Sequence, residues 1–170
     1  WLFNNSRDDK QKVTVNGPFG SFYLRDKDSP IVCIAGGSGL APIKALLEGG
    51  VLDQVKRDVV FLFGARTQED LYCVDEIKKL QEKWNKDFKF DFIPVLNMEP
   101  EDSDWKGGRG LVTDYFEEEI IKKDNVDVSS WQGYLCGPPP MIDAACEVLE
   151  KHGIKSDEIF YDKFTDSRDL

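Results

Sequence analysis

Short apolar runs alternate with helical patterns along most of the chain, beginning at Ile31. Five runs have the length and composition of buried strands, at 31–35, 58–66, 88–96, 133–136 and 158–164. The segments between them place apolar residues on one face, which is typical of amphipathic helices. These helices are expected to begin near Ala41, Val74, Leu111 and Met141. The alternation predicts an α/β fold with a doubly wound, Rossmann-like parallel sheet of five strands flanked by helices.

The first part of the chain follows a different pattern. Residues 11–24 alternate apolar and polar positions around a Gly-Pro turn, which is typical of antiparallel strands. The polar stretch RDKDSP at 25–30 then precedes the first buried run. The sequence therefore predicts two units, a short one at 1–26 and the α/β unit at 27–170.

Composition and charge exclude several classes of protein. The 170 residues are 41% hydrophobic and carry a formal net charge of −10. The negative charge argues against binding to a nucleic-acid backbone, which needs clustered Lys and Arg. No apolar run approaches the roughly 20 residues of a membrane span, and no signal peptide is visible. The four cysteines are widely spaced, so no metal site is predicted. These features predict a cytoplasmic protein.

The segment CIAGGSGLAP at 33–42 combines a buried strand, three glycines and the start of a helix. Glycine lets a ligand approach the main chain closely, and Pro42 suits the first turn of a helix. The unpaired N–H groups at such a helix start attract phosphate. Two interpretations stay open, a phosphate site or a turn that only reverses the chain. The common dinucleotide fingerprint G-x-G-x-x-G is broken here, because Pro42 takes its third glycine position.

Three further segments occur in a fixed order with this one. They are GPFGSF at 17–22, LFGAR at 62–66 and CGPPPM at 136–141. Together the four segments resemble the ferredoxin–NADP reductase superfamily. The similarity is greatest to the reductase components of bacterial multicomponent oxygenases, such as phenol, alkene or methane monooxygenase. The flavin subunit of the sodium-pumping quinone reductase is similar in the same way.

The resemblance implies an enzymatic function. It implies an NADH-dependent flavoprotein oxidoreductase, in which NADH gives a hydride to FAD and electrons then pass singly to an iron–sulfur domain or ferredoxin that serves an oxygenase. The family's flavin-binding barrel carries an Arg-x-Tyr-Ser type motif and a Gly-x-x-Ser loop before GPFG, and neither is present here. Residues 1–26 then correspond to the C-terminal tail of that barrel. FAD is accordingly expected in a longer parent protein, and the fragment alone is expected to be inactive.

The resemblance also assigns candidate cofactor-binding residues. The glycine turn would hold the dinucleotide pyrophosphate through Gly36, Gly37, Ser38 and Gly39, with Leu40 and Pro42 in the helix that follows. The segment at the end of the fourth buried run would flank the nicotinamide through Cys136, Gly137, Pro138, Pro139 and Met141. Gly17, Pro18 and Gly20 would close the flavin barrel, and Phe164 would cover the flavin ring.

Two of these assignments have structural alternatives. Cys136 is either an inert buried thiol or a catalytic residue that positions the nicotinamide by packing. Arg66 either binds the adenosine ribose or a phosphate, or is solvated. The acidic Glu69 and Asp70 follow it, and they would favour the ribose hydroxyls of NADH over the 2′-phosphate of NADPH. A nucleotide-binding module without catalytic activity of its own is the alternative function.

Overall fold

The strands and helices alternate as the sequence predicts. A computed structural model describes residues 14, 16–17 and 20–164. The strands are Ile31–Gly36 (β1), Val59–Ala65 (β2), Phe90–Leu96 (β3), Gly108–Arg109 (β4), Gln132–Gly137 (β5) and Ile159–Lys163 (β6). The helices are Leu40–Leu52 (α1), Val74–Lys83 (α2), Val112–Tyr115 (α3) and Pro139–Lys151 (α4). Among these residues, no helix has the length and apolarity needed to cross a membrane.

All the strands run parallel in one sheet with the order β4-β3-β2-β1-β5-β6. The strand order reverses between β1 and β5, which places a crevice at their carboxyl ends. Alternate residues of β1 face opposite sides. Cys33 packs with α1 and α2, whereas Ile34 packs with α3 and α4. The sheet is therefore buried on both faces, which explains its nearly continuous apolar strands.

Six strands are present where five were predicted. The additional strand β4 has two residues, which pair with Val95 and Leu96 at the end of β3. A two-residue strand carries no periodic pattern, so the sequence could not show it. Pro94 pairs with β2 on one side and lies before the pairing with β4 on the other, as an edge position requires.

The antiparallel strands expected at 11–24 fall partly outside the described residues. Residues 14, 16–17 and 20–24 are described and are not in a strand. The segment that follows is held at the amino end of the sheet by Arg57, a buried side chain that donates to the carbonyl oxygens of Ser29 and Arg25. Arg57 also donates to Gln132 Oε1 at 2.6 Å. Residues 25–29 are thus fastened to the α/β unit.

The helix predicted at 111–121 changes its winding along its length. It begins as α3 and continues as a π-helix over Phe116–Lys122. Glu117 is shielded, because Lys151 Nζ lies 2.7 Å and His152 Nε2 lies 3.1 Å from its Oε1. Glu117 thus joins this helix to the end of α4.

Candidate functional site

A cavity of about 520 Å³ opens at the carboxyl ends of the strands. It lies beside the β1–β5 crevice, where ligands bind in open parallel sheets. Its walls come from the turns that follow β1, β2, β3, β4 and β5. The lining residues are Gly36, Gly37, Ser38, Gly64, Ala65, Arg66, Asp70, Tyr72, Val95, Asn97, Gly110, Leu111, Val112, Pro138 and Met141.

The glycine turn forms one wall of this cavity. Gly37–Gly39 is a single 3-10 turn that leads directly into α1. Gly37 has a φ of 54°, and a Cβ added there would meet no atom within 4 Å. Glycine is required by the backbone angle, and the space beside it is open. A pyrophosphate could therefore approach the main chain at the start of a 13-residue helix.

Gly39 has a different role from Gly37. It is buried, and a Cβ added there would lie 2.0 Å from the carbonyl oxygen of Cys136. The start of α1 therefore packs backbone to backbone against the end of β5. Gly39 brings two walls of the cavity together without lining it.

Tyr72 lines the cavity and contacts the glycine turn. Its hydroxyl donates a hydrogen bond of 2.8 Å to the carbonyl oxygen of Gly37. Its ring packs edge-on against Phe63 in β2, with centroids 5.7 Å apart. Partial burial raises the pKa of Tyr72. The hydroxyl therefore stays protonated and available as a donor at neutral pH.

Arg66 and Asp70 carry the charges of the cavity lining. Arg66 Nη2 donates to Asp70 Oδ1 at 2.9 Å, and the Thr67 N–H donates to Asp70 Oδ2 at 3.1 Å. The hydrogen bond from Arg66 lowers the pKa of Asp70, and the one from Thr67 adds to it. The carboxylate is thus ionised and fixed in place, whereas the Arg66 side chain is 70% exposed.

The loop between β3 and β4 supplies the outer wall. Arg109 organises this loop, donating to the carbonyl oxygens of Glu99 at 3.0 Å and Pro100 at 3.1 Å and to Ser103 Oγ at 3.0 Å. Glu99 in turn accepts from the backbone N–H of Gln68 at 2.9 Å. The loop is therefore tied to the turn that carries Asp70.

Cys136 is fully buried at the end of β5. Burial raises its pKa to about 12, so the thiol is protonated and is not a nucleophile. The next residue, Gly137, accepts a hydrogen bond of 3.0 Å from the Phe164 N–H, which places Phe164 beside this strand end. A role of Cys136 next to the nicotinamide stays a prediction, and any such role acts through packing.

The structure brings together some of the predicted site residues and separates others. Seven of them line the cavity: Gly36, Gly37, Ser38, Arg66, Asp70, Pro138 and Met141. Gly39, Leu40, Cys136 and Gly137 are buried around it, and Pro139 begins α4. Glu69 is exposed outside the lining, Pro42 lines a separate crevice beside residues 22–28, and Phe164 follows β6. Gly17 and Gly20 lie in the N-terminal segment, and Pro18 is outside the described residues.

Several lining residues escaped the sequence-based prediction. Tyr72, Asn97 and Leu111 follow β2, β3 and β4, and none belongs to a glycine motif. The signal that could have found them is positional, because ligand sites in parallel sheets collect the residues after the strands. Among the described residues, no three His, Cys, Asp or Glu side chains are arranged to hold a metal ion.

Known proteins share both the sequence and the fold. The electron transfer component of xylene/toluene monooxygenase from Pseudomonas putida is 45% identical over 164 residues, which are 96% of this chain and 44% of that protein. The reductase component of propane 2-monooxygenase from Gordonia sp. is 41% identical over 158 residues, covering 91% of this chain and 43% of that protein. The chain thus spans less than half the length of these relatives.

A solved structure matches almost the whole chain. The cytochrome P450 reductase GcoB of Amycolatopsis has a TM-score of 0.75 and 30% identity, with coverage of 98% of this chain and 47% of that one. The resemblance to reductase components of oxygenases, inferred from the motifs, is confirmed by these relatives. Residues 33–147, which include the glycine turn and the β5–α4 segment, match the family model of the oxidoreductase NAD-binding domain, and the chain belongs to that family.

Proposed function

We propose that the chain is the pyridine-nucleotide-binding part of an electron-transfer flavoprotein reductase. The observation that carries this proposal is the cavity at the carboxyl edge, where the glycine turn meets Pro138 and Met141 in a chain of the NAD-binding family. NADH supplies a hydride when it is bound, and FAD in the longer parent accepts it. Electrons then pass singly to an iron–sulfur domain or ferredoxin that serves an oxygenase. The relatives are electron transfer and reductase components of oxygenases, which supports this assignment.

The residues of the cavity fit a dinucleotide. The open space at Gly37 suits the pyrophosphate, since the first N–H groups of a helical turn have no acceptor within the helix. Leu111 and Val112 offer apolar contact to a base or ribose. Pro138 and Met141 lie on the β5 side, toward the expected nicotinamide position.

Calorimetric titration of the 170-residue chain with NAD⁺ and with ADP-ribose tests the proposal. We expect one saturable site per chain for both ligands, because the pyrophosphate and adenosine contacts lie within the described residues. Absence of binding by either ligand at millimolar concentration would contradict the assignment. The alternative of a binding module without chemistry is decided by hydride transfer to FAD in a chain that includes the preceding flavin-binding part.

We further propose that NADH is preferred over NADPH, and that Asp70 rather than Glu69 determines the preference. Asp70 lines the cavity as a fixed carboxylate, whereas Glu69 is exposed outside it. A 2′-phosphate close to Asp70 would be repelled, and Arg66 is already paired with that carboxylate. A cytoplasmic location stays a prediction of the composition.

Asp70→Asn is expected to narrow the preference for NADH over NADPH by about threefold to tenfold, the effect of one partly exposed charge. The change removes the repulsion and frees Arg66 to pair with the 2′-phosphate. Dissociation constants of both dinucleotides measure the effect. Glu69→Gln, which removes the same charge one residue earlier, is the matched control and is expected to leave the ratio unchanged. The assignment fails if Glu69→Gln shifts the ratio as much as Asp70→Asn.

A further inference from the structure

Tyr72 has no role in the function proposed so far, although it touches the centre of the site. It lies outside the glycine motifs and is 40% exposed at the cavity. Its hydroxyl, carried by the segment that follows β2, donates a hydrogen bond of 2.8 Å to the Gly37 carbonyl oxygen. A surface tyrosine with an exposed ring does not need this contact for its own solvation. The contact therefore calls for an explanation in terms of the turn that it holds.

The orientation of the Gly37 carbonyl group sets the geometry of the predicted anion site. It accepts two hydrogen bonds, one from the Leu40 N–H within the 3-10 turn and one from Tyr72. The peptide group is planar and trans, so the N–H of Ser38 points opposite to this carbonyl. With the carbonyl directed into the turn, the Ser38 N–H is directed outward from the helix start. Outward N–H groups of this kind are the donors that bind phosphate oxygens.

We propose that Tyr72 is a positioning residue for the pyrophosphate, whose hydroxyl fixes the Gly37–Ser38 peptide with its N–H directed at the anion. This inference rests on the proposed function, because it assumes that a dinucleotide occupies the cavity. Gly37 needs the brace more than another residue would, since glycine at a φ of 54° is held by no side chain of its own. Tyr72 supplies this constraint from the segment that follows β2.

The position of Tyr72 is itself well determined. Its ring packs on Phe63, which is fully buried in β2. The turn before it is closed by a capping box, in which the side chains of Thr67 and Asp70 each bond the backbone of the other. Cys73 follows with a φ of 52°, a left-handed conformation that redirects the chain into α2. The hydroxyl is thus anchored on both sides rather than carried by a free loop.

Tyr72→Phe tests the proposal, because it removes the hydroxyl and keeps the ring on Phe63. The 170-residue chain is titrated with ADP-ribose and with adenosine, which lacks phosphate, and binding is followed by nuclear magnetic resonance. We expect the affinity for ADP-ribose to fall about threefold to tenfold, the range for loss of one hydrogen bond. The affinity for adenosine is expected to stay within twofold. Tyr161→Phe, at an exposed tyrosine of β6 outside the cavity lining, is the matched control and should change neither.

Each other result overturns a stated part of the proposal. An unchanged affinity of Tyr72→Phe for ADP-ribose means that the hydroxyl does not position the turn. An equal loss for adenosine means that Tyr72 contacts the nucleoside instead. Tighter binding of ADP-ribose means that Tyr72 obstructs the cavity and must move aside. Failure of the unmodified chain to bind ADP-ribose would overturn the proposed function itself, and this inference with it.

Discussion

Gly39→Ala is expected to lower the free energy of unfolding by about 3 kcal/mol or more, which makes it the most damaging single methyl group that could be added near the site. The added Cβ would lie 2.0 Å from the Cys136 carbonyl oxygen and 2.4 Å from its carbonyl carbon. Real Cβ atoms do not approach backbone atoms so closely, so α1 and the end of β5 must separate. Both elements belong to the buried core, and neither can move without loss of packing.

The melting temperature measures this effect. For a domain of this size, a loss of about 3 kcal/mol corresponds to a fall of roughly 6–12 °C. Gly49→Ala is the matched control, since it adds the same methyl group to the same helix at a position with no atom within 4 Å. Alanine is the better helix former, so this variant should melt at or above the temperature of the unmodified chain. A Gly39→Ala protein that melts within 2 °C of the unmodified chain would contradict the predicted close packing.

The contact at Gly39 changes the interpretation of the glycine turn. From the sequence, Gly36, Gly37 and Gly39 share one explanation, space for a phosphate. In the structure they divide, because Gly37 borders open space while Gly39 packs under the end of β5. The partner of Gly39 lies almost 100 positions further along the chain. No local pattern could show which glycine borders open space and which packs against a distant strand.

The same distinction separates the predictable parts of the fold from the rest. The composition of β1, β2, β3, β5 and β6 is enough to predict them as buried strands. Because ligands bind at the carboxyl ends of the strands in parallel sheets, the position of the candidate site can be predicted as well. β4 escapes prediction because two residues have no period. Glu117 belongs to a run of three glutamates, a composition typical of a solvated helix face, yet Lys151 and His152 at the end of α4 cover it. Such pairings arise from packing between distant segments.

Two residues of the cavity lining could not be predicted for a related reason. Tyr72 and Leu111 follow different strands, and they line one cavity with the glycine turn only when the sheet is assembled. Arg109 has a charge that would suit a cofactor phosphate, but it donates to the carbonyl oxygens of Glu99 and Pro100 in its own loop. Charged residues in glycine-rich loops satisfy local backbone acceptors first, and their sequence does not distinguish the two uses.

Gly37→Val is expected to reduce the affinity for ADP-ribose by at least about tenfold while the chain still folds. The side chain would extend into the open space that the pyrophosphate needs, where no protein atom lies within 4 Å of the Cβ. It would also force a β-branched residue into a φ of 54°, which costs about 1–2 kcal/mol and disturbs the peptide that precedes Ser38. Folding survives because no buried neighbour is displaced, in contrast to Gly39.

Backbone strain and loss of the ligand's space are separated by a second variant. Gly153→Val places the same side chain at a φ of 92° after α4, away from the cavity lining. It should lower the melting temperature at least as much as Gly37→Val, because its Cβ would also lie 3.1 Å from Ser129 Cβ, and it should leave the affinity for ADP-ribose unchanged. Calorimetry and thermal melting of both variants provide the comparison. If Gly37→Val binds ADP-ribose as tightly as the unmodified chain, the pyrophosphate does not lie at the glycine turn. If Gly153→Val weakens binding equally, strain alone accounts for the loss.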